Sequence, residues 1–210
     1  MPDGSSRSDA LGRWIRGWDV LAAFALLAAS FLLIRLEAVP QLAALATNKD
    51  YFSGPARQPL LLDTYRQGYN FETVRDHLRA LGEDGRAYYA HSFIPIYDTA
   101  LSLFLLTFSI LFILYATQPG KVHALELPPW ARRLALLPPS LQFLFDIGEN
   151  IALRQLMQDF PRINPKVVET ASLLTQLKWL SIYATTAILL SLAAYSLYRS
   201  LTAGARPKGS

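Results

Sequence analysis

The sequence predicts an all-α membrane protein: a bundle of four transmembrane helices with a partly helical outer loop between helices 1 and 2. Two observations predict this class. Of the 210 residues, 52% are hydrophobic and only 17% are charged. The apolar residues are also concentrated in runs long enough to cross a bilayer, separated by short polar connections. The chain therefore suits one membrane domain, residues 1–210.

Four runs are long and apolar enough to span: residues 20–36, 93–116, 140–157 and 172–198. At about 1.5 Å per residue the shortest run covers ~26 Å, near the lower limit for a hydrocarbon core of ~30 Å. The first run follows basic residues, as a signal peptide does. Its small-residue site lies about ten residues beyond the apolar run, too far for ordinary cleavage, so we expect a retained helix.

Orientation follows from basic residues in short connections, which favour the cytoplasmic side. They cluster before the first span, between the second and third, and after the fourth: Arg7, Arg13, Arg16, Lys121, Arg132, Arg133, Arg199, Arg206 and Lys208. The long first connection, residues 37–91, nearly balances basic and acidic side chains. The sequence thus predicts a multi-pass protein of the cell membrane (plasma or bacterial inner membrane), with both termini cytoplasmic and this connection outside.

The outer loop, about 55 residues long, exceeds a simple turn and should carry structure of its own. Asn70 predicts the start of a helix over 71–81, and Gly82 predicts its end. The apolar residues of this helix share one face, which favours a lid on the bundle; binding to a partner or to the membrane surface is the alternative. A second helix should begin near Gly85 and continue into the second span, where Pro95 predicts a kink.

Ionisable residues inside the spans mark the candidate site, because each costs about 2.5–3.5 kcal/mol at a helix centre. In the third span, Asp146, Glu149 and Asn150 have the spacing that places side chains on one side of a helix. The predicted topology puts Asp98 of the second span and Lys178 of the fourth at a similar depth. These residues form the predicted polar centre.

Three further residues complete the candidate cluster. Arg154 continues the polar side of the third helix toward the outer boundary, and His91 precedes Asp98 by seven residues and should face the same way. Arg86 is expected to reach the centre from the loop. The full set is Asp98, Asp146, Glu149, Asn150, Arg154, Lys178, Arg86 and His91.

The sequence lacks the residues that several classes of function require. There is no cysteine, which excludes disulfides, thiol chemistry and Cys-ligated metals. There is no HExxH, GxSxG or Walker sequence and no histidine pair at helical spacing, so no catalytic residue, metal site or cofactor is assigned. No stripe of basic and aromatic residues indicates nucleic-acid binding.

A buried polar network can simply fix helix register, and we expect a non-enzymatic membrane component that acts through lipids or partners. The partner can be a second copy of the chain or another membrane protein. Two alternatives remain. One is a small component for transport of protons, cations or polar solutes; the other is a lipid-acting membrane enzyme with His91 and Asp98 near the chemistry.

Five short sequence features follow one another along the chain: a GY turn, the motif LxxLGxxGRxxY, an aspartate that opens the second span, and the motifs DxxEN and TxxKW. In this order they resemble a group of uncharacterised bacterial four-span integral membrane proteins. The positions concerned are Gly68, Tyr69, Leu78, Leu81, Gly82, Gly85, Arg86, Tyr89, Asp98, Asp146, Glu149, Asn150, Thr175, Lys178 and Trp179. The resemblance covers residues 60–179 and implies that the outer loop and the polar centre work as one unit, without implying a reaction.

Overall fold

The computed structural model describes residues 15–53, 58–121 and 123–204, and within these ranges every element is helical. Three segments are long and apolar enough to cross a membrane: Gly17–Leu45, Phe71–Ala116 and Pro165–Thr202. The predicted all-helical class is confirmed, and these segments are consistent with a multi-pass membrane protein. Four of the basic residues behind the predicted orientation, Arg7, Arg13, Arg206 and Lys208, lie outside the described ranges.

The elements follow in chain order. The first membrane segment consists of α1 (Gly17–Leu33), a first π segment (Ile34–Ala38) and α2 (Val39–Leu45). A connecting loop, residues 46–70, carries α3 (Lys49–Ser53) and a 3₁₀ turn (Leu62–Thr64). The second membrane segment consists of α4 (Phe71–Tyr88), a second π segment (Tyr89–Asp98) and α5 (Thr99–Ala116). The chain ends in two long helices, α6 (Pro129–Asp159) and α7 (Pro165–Gly204).

The predicted lid helix is present at the start of α4. The Asn70 side chain accepts a hydrogen bond from the backbone N–H of Thr73 at 2.9 Å, which confirms its capping role. Gly82 has φ +73°, and the side chain of Thr47 fills the space that a Cβ would need. The helix bends there and resumes at once, so the two predicted helices form one kinked element.

Replacing Asn70 by alanine should remove one cap of α4. We expect a loss of about 1 kcal/mol in unfolding free energy, which corresponds to roughly 2–4 °C in Tm for a chain of this size. Thermal unfolding of the purified protein in detergent measures it. The exposed neighbour Gln67, changed to alanine, is the control. Equal shifts in the two variants would contradict the capping role.

The two π segments pack against each other where the first two membrane segments meet. Pro95 lies inside the second one, at the place where the sequence predicts a kink. The strain is absorbed by wide turns, in which hydrogen bonds close over five residues instead of four. At the end of this segment the Thr99 side chain donates to the Ile94 carbonyl at 2.9 Å. The backbone N–H of Thr99 donates to the same carbonyl, so two donors of one residue end the π segment.

The helix α6 differs from the predicted third span. It starts at Pro129, passes through Pro138 and Pro139 and has 31 residues, so it extends beyond the predicted span of 140–157 at both ends. Proline at the first helical position fits helix geometry, which explains the early start. In composition α6 is not among the three segments apolar enough to span.

Packing places α6 at the middle of the fold. The helix α7 lies along α6, which also packs on α5, and α1 packs on α5. Gly148 allows this closeness, since a Cβ there would stand 3.3 Å from the Leu174 side chain. Val74, Leu78 and Leu81 of α4 are fully buried in one apolar cluster with residues of α6. The inward face of α6 is therefore covered on several sides.

Candidate functional site

Lys178 of α7 lies at the centre of a buried ionic network. Its side chain is only 4% exposed, and its ammonium nitrogen lies 2.5 Å from Glu149, 3.2 Å from Asp146 and 3.5 Å from Asp63. Two of these carboxylates come from α6 and the third from the 3₁₀ turn of the connecting loop. One cation therefore joins both long helices to the loop.

Neutral side chains donate hydrogen bonds to the two α6 carboxylates. The Ser102 hydroxyl donates to Asp146 at 2.6 Å, and the side-chain amide of Asn150 donates to the same carboxylate at 3.2 Å. The Thr175 hydroxyl donates to Glu149. The structure thus brings Asp146, Glu149 and Asn150 to one face, as their spacing predicts.

The connecting loop is attached to α7 by further hydrogen bonds. The backbone N–H of Tyr69 donates to the Ser172 hydroxyl at 2.9 Å, and the Trp179 indole donates to the Asp63 carbonyl at 2.9 Å. The Tyr69 hydroxyl lies 3.4 Å from the Thr175 hydroxyl. Burial, and next the charge of Glu149, raise the pKa of Tyr69, so this phenol stays protonated at neutral pH.

Gly68 makes this attachment possible. Its φ of +79° lies in the left-handed region, which favours glycine. A Cβ at this position would stand 2.5 Å from both the Ser172 hydroxyl and the Gln176 side-chain amide. A side chain here would be strained by the left-handed backbone and would displace the Ser172 hydroxyl, to which Tyr69 donates, and the Gln176 amide.

Asp63 is the member of the ionic network that sequence reasoning missed. It lies in a loop, where no helical spacing relates it to the spans. In the structure the adjoining Leu62 is fully buried and anchors the 3₁₀ turn, which places Asp63 beside Lys178. An extra acid in a polar loop gives no signal of this pairing.

Three of the predicted residues do not join the network. His91 is exposed, and Arg86 donates to the Leu78 carbonyl at 2.8 Å and stacks 4.3 Å from the Phe160 ring centre. Both line a separate cavity of about 390 Å³. Arg154 is half-buried and forms no ion pair with any residue in the described ranges.

The predictions for His91 and Arg86 fail for identifiable physical reasons. A seven-residue spacing returns to the same face of an α-helix, but His91 and Asp98 both lie in the second π segment. Its turns hold more residues, so the two side chains diverge. Arg86 instead satisfies a backbone carbonyl of its own helix near the Gly82 kink.

A cavity of about 630 Å³ reaches the ionic network. Its apolar walls include Phe31 and Ile34 from the first membrane segment, Leu101 and Leu105 from α5, and Ile182 from α7. Its polar end is lined by Asp63, Asp98, Asp146, Gln142 and Lys178. Asp98 therefore lines the same cavity as the network. Glu149 is fully buried and does not line the cavity.

The mouth of the cavity carries two exposed arginines. Arg35 lies 5.4 Å from the ring centre of Phe31, and Arg66 lies 4.6 Å from that of Trp179. Both line the cavity. The space is thus amphipathic, with apolar sides, an acidic inner end and a basic mouth.

The described residues contain no group of three or more His, Asp or Glu side chains placed to hold a metal ion. The chain matches no protein-family model, and neither a curated protein nor a solved structure resembles it significantly. The resemblance to the bacterial four-span group stays a prediction. Function must be inferred from the geometry itself.

Proposed function

We propose that this protein is a non-enzymatic, four-span protein of the cell membrane that binds a lipid or lipid-like amphiphile in the cavity beneath its outer loop. The observation that carries the proposal is the cavity of about 630 Å³, which joins apolar walls to a buried ionic centre. Its volume falls within the usual range for ligand sites, about 300–1,000 Å³.

The exposed face of α6 supports its role as the fourth span. Leu137, Leu144 and Ile151 follow one another at two-turn intervals and are 49%, 62% and 66% exposed. The charged residues Asp146 and Glu149 point the other way and are buried. A helix with an apolar outside and a partnered polar inside can lie in a bilayer, because its ionised groups do not meet lipid.

Most of the described basic residues at helix ends support the proposed orientation; Arg162 and Lys166, where α6 meets α7, fall on the other side and weaken the bias without reversing it. Arg16 precedes α1, Lys121 follows α5, and Arg199 lies near the end of α7. In an antiparallel succession of four spans these positions share one side of the membrane, which the positive-inside rule makes cytoplasmic. The connecting loop, the network and the mouth of the cavity then lie in the outer half.

An amphiphile fits this cavity better than a purely polar solute. Phe31 of α1 and Ile182 of α7 both line it, so apolar side chains reach the cavity from two helices. Such walls at membrane depth favour contact with acyl chains. The charged inner end offers hydrogen-bonding partners to a polar head group, so the head should lie inward and the chains toward the bilayer.

The test is photolabelling in proteoliposomes. Phospholipids with a photoreactive acyl chain and mixed head groups are titrated into a phosphatidylcholine bilayer, and labelled peptides are identified by mass spectrometry. Peptides containing Leu105 and Ile182, which are partly buried and line the cavity, should label more strongly per mole of probe than the control. The control is the set of peptides containing Leu190 and Leu197, which are exposed on α7. Cavity peptides that label no more strongly than the control would overturn the proposal.

The same proteoliposomes address the transport alternative. We expect proton and cation flux equal to that of empty liposomes. A flux that disappears in Asp146→Asn would instead favour a transport component, because Asp146 is the α6 carboxylate facing the cavity.

A further inference from the structure

We infer that the cavity selects a phospholipid whose head group carries a primary amine next to its phosphate. This inference rests on the proposed function and names the class of ligand. Three features of the cavity carry it: surplus acceptors at the inner end, the pairing of Lys178, and free cations at the mouth.

The inner end has more acceptors than donors. Three carboxylates, those of Asp63, Asp98 and Asp146, line the cavity together with a single interior cation, Lys178. That cation is closest to Glu149, at 2.5 Å, and Glu149 is not part of the lining. The carboxyl oxygens of the lining are therefore only partly matched by donors of the protein.

Two acceptor atoms at this end are buried without a hydrogen bond. One is Oε1 of Gln142, whose residue is only 2% exposed; the other is Oδ1 of Asp63. Buried acceptors are normally paired, and an unpaired one costs about 1–3 kcal/mol. Because both residues line the cavity, a ligand that donates hydrogen bonds from inside it would satisfy them.

The required donor is a protonated primary amine. An ammonium group supplies three N–H donors and a positive charge, which suits Gln142 and the carboxylates together. A quaternary ammonium has the charge but no donor, and a glycerol head group has donors but no charge. The inner end therefore discriminates among common phospholipid head groups.

The mouth supplies the complementary charge. Neither Arg35 nor Arg66 forms an ion pair with a residue in the described ranges, and each guanidinium is held against an aromatic ring. Arginine binds phosphate through paired N–H donors. A head group with its amine inward and its phosphate outward would match both ends of the cavity.

The experiment compares photoreactive phosphatidylethanolamine, phosphatidylcholine and phosphatidylglycerol, each titrated separately into the phosphatidylcholine bilayer. The ethanolamine lipid should half-saturate the cavity peptides at a mole fraction of about 0.1, the value expected if one charged hydrogen bond favours it about tenfold over the host phosphatidylcholine. The other two probes compete with the host lipid on nearly equal terms, so their labelling should rise in proportion to probe. Water-soluble phosphoethanolamine should not compete. Competition by it at similar concentration would show a site for free solute and overturn the inference.

Substitutions of residues that line the cavity test which side chains determine the head-group selectivity. Gln142→Leu removes the unpaired acceptor at nearly constant size and should raise the half-saturating fraction of the ethanolamine lipid several-fold, with phosphatidylcholine unchanged. Asp98→Asn should do the same. Gln155→Leu, an exposed position on the same helix as Gln142, is the matched control. Labelling of the cavity peptides that exceeds the α7 control peptides but is equal for all head groups would overturn the amine inference and leave the proposed function standing; labelling no stronger than that of the α7 control peptides would remove both.

Discussion

Lys178→Met should lower the Tm of the purified protein by roughly 10 °C. The substitution leaves three carboxylates around a site from which their shared counter-ion is missing, and Glu149 and Asp146 are almost completely buried. Removing one partner of a buried ion pair costs about 3–5 kcal/mol. In a chain of this size each kcal/mol corresponds to roughly 2–4 °C. Thermal unfolding in detergent gives the value directly.

Two further variants serve as controls for this result. Lys166→Met, on the same helix but exposed, should leave the Tm nearly unchanged. The double variant Lys178→Met with Glu149→Gln should lose less stability than the two single changes add up to, because it removes the charge closest to the missing cation. Strict additivity, or a wild-type Tm for Lys178→Met alone, would mean that the network does not hold the helices together.

Gly68→Val should detach the connecting loop from α7. The new side chain must adopt a left-handed backbone conformation, which costs about 1–3 kcal/mol, and its Cβ would meet Ser172 and Gln176 at 2.5 Å. We expect faster hydrogen exchange and proteolysis in residues 58–70. Since this loop also forms one side of the cavity, lipid labelling should lose its saturation.

A control substitution at Gly120 tests the effect of backbone strain separately from the effect of the clash with α7. Its φ of +73° nearly matches that of Gly68, but a Cβ added at Gly120 would meet no neighbouring side chain within 4 Å. Gly120→Val should therefore carry a similar backbone penalty and leave exchange in residues 58–70 and lipid labelling unchanged. If the two valine variants disturb the loop equally, contact between Gly68 and α7 is not what holds it.

Local rules predicted part of this site correctly. Helical spacing within α6 placed Asp146, Glu149 and Asn150 on one face, and capping chemistry placed the start of α4 at Asn70. Both depend on residues within one turn of each other, where backbone geometry is regular. Burial of Lys178 follows from its position in an apolar run.

Contacts between distant segments were not predictable in the same way. Asp63 reaches Lys178 from a loop, and the pairing depends on how the 3₁₀ turn is anchored by Leu62. The position of His91 depends on the wide turns that follow α4, and no periodic pattern of residues in the sequence predicts these turns. Sequence reasoning thus found the helices that carry the site but not the full set of residues that compose it.

Insertions and deletions should be tolerated unequally along the second membrane segment. A one-residue deletion at the start of α5, in residues 99–101, would turn all that follows by about 100° and carry Ser102 away from Asp146. Within Tyr89–Asp98, the same deletion could be absorbed as a wide turn tightens to α-helical geometry. The flanking helices would then keep their partners. Chains that differ from this one by a single gap between these residues are therefore compatible with the same architecture.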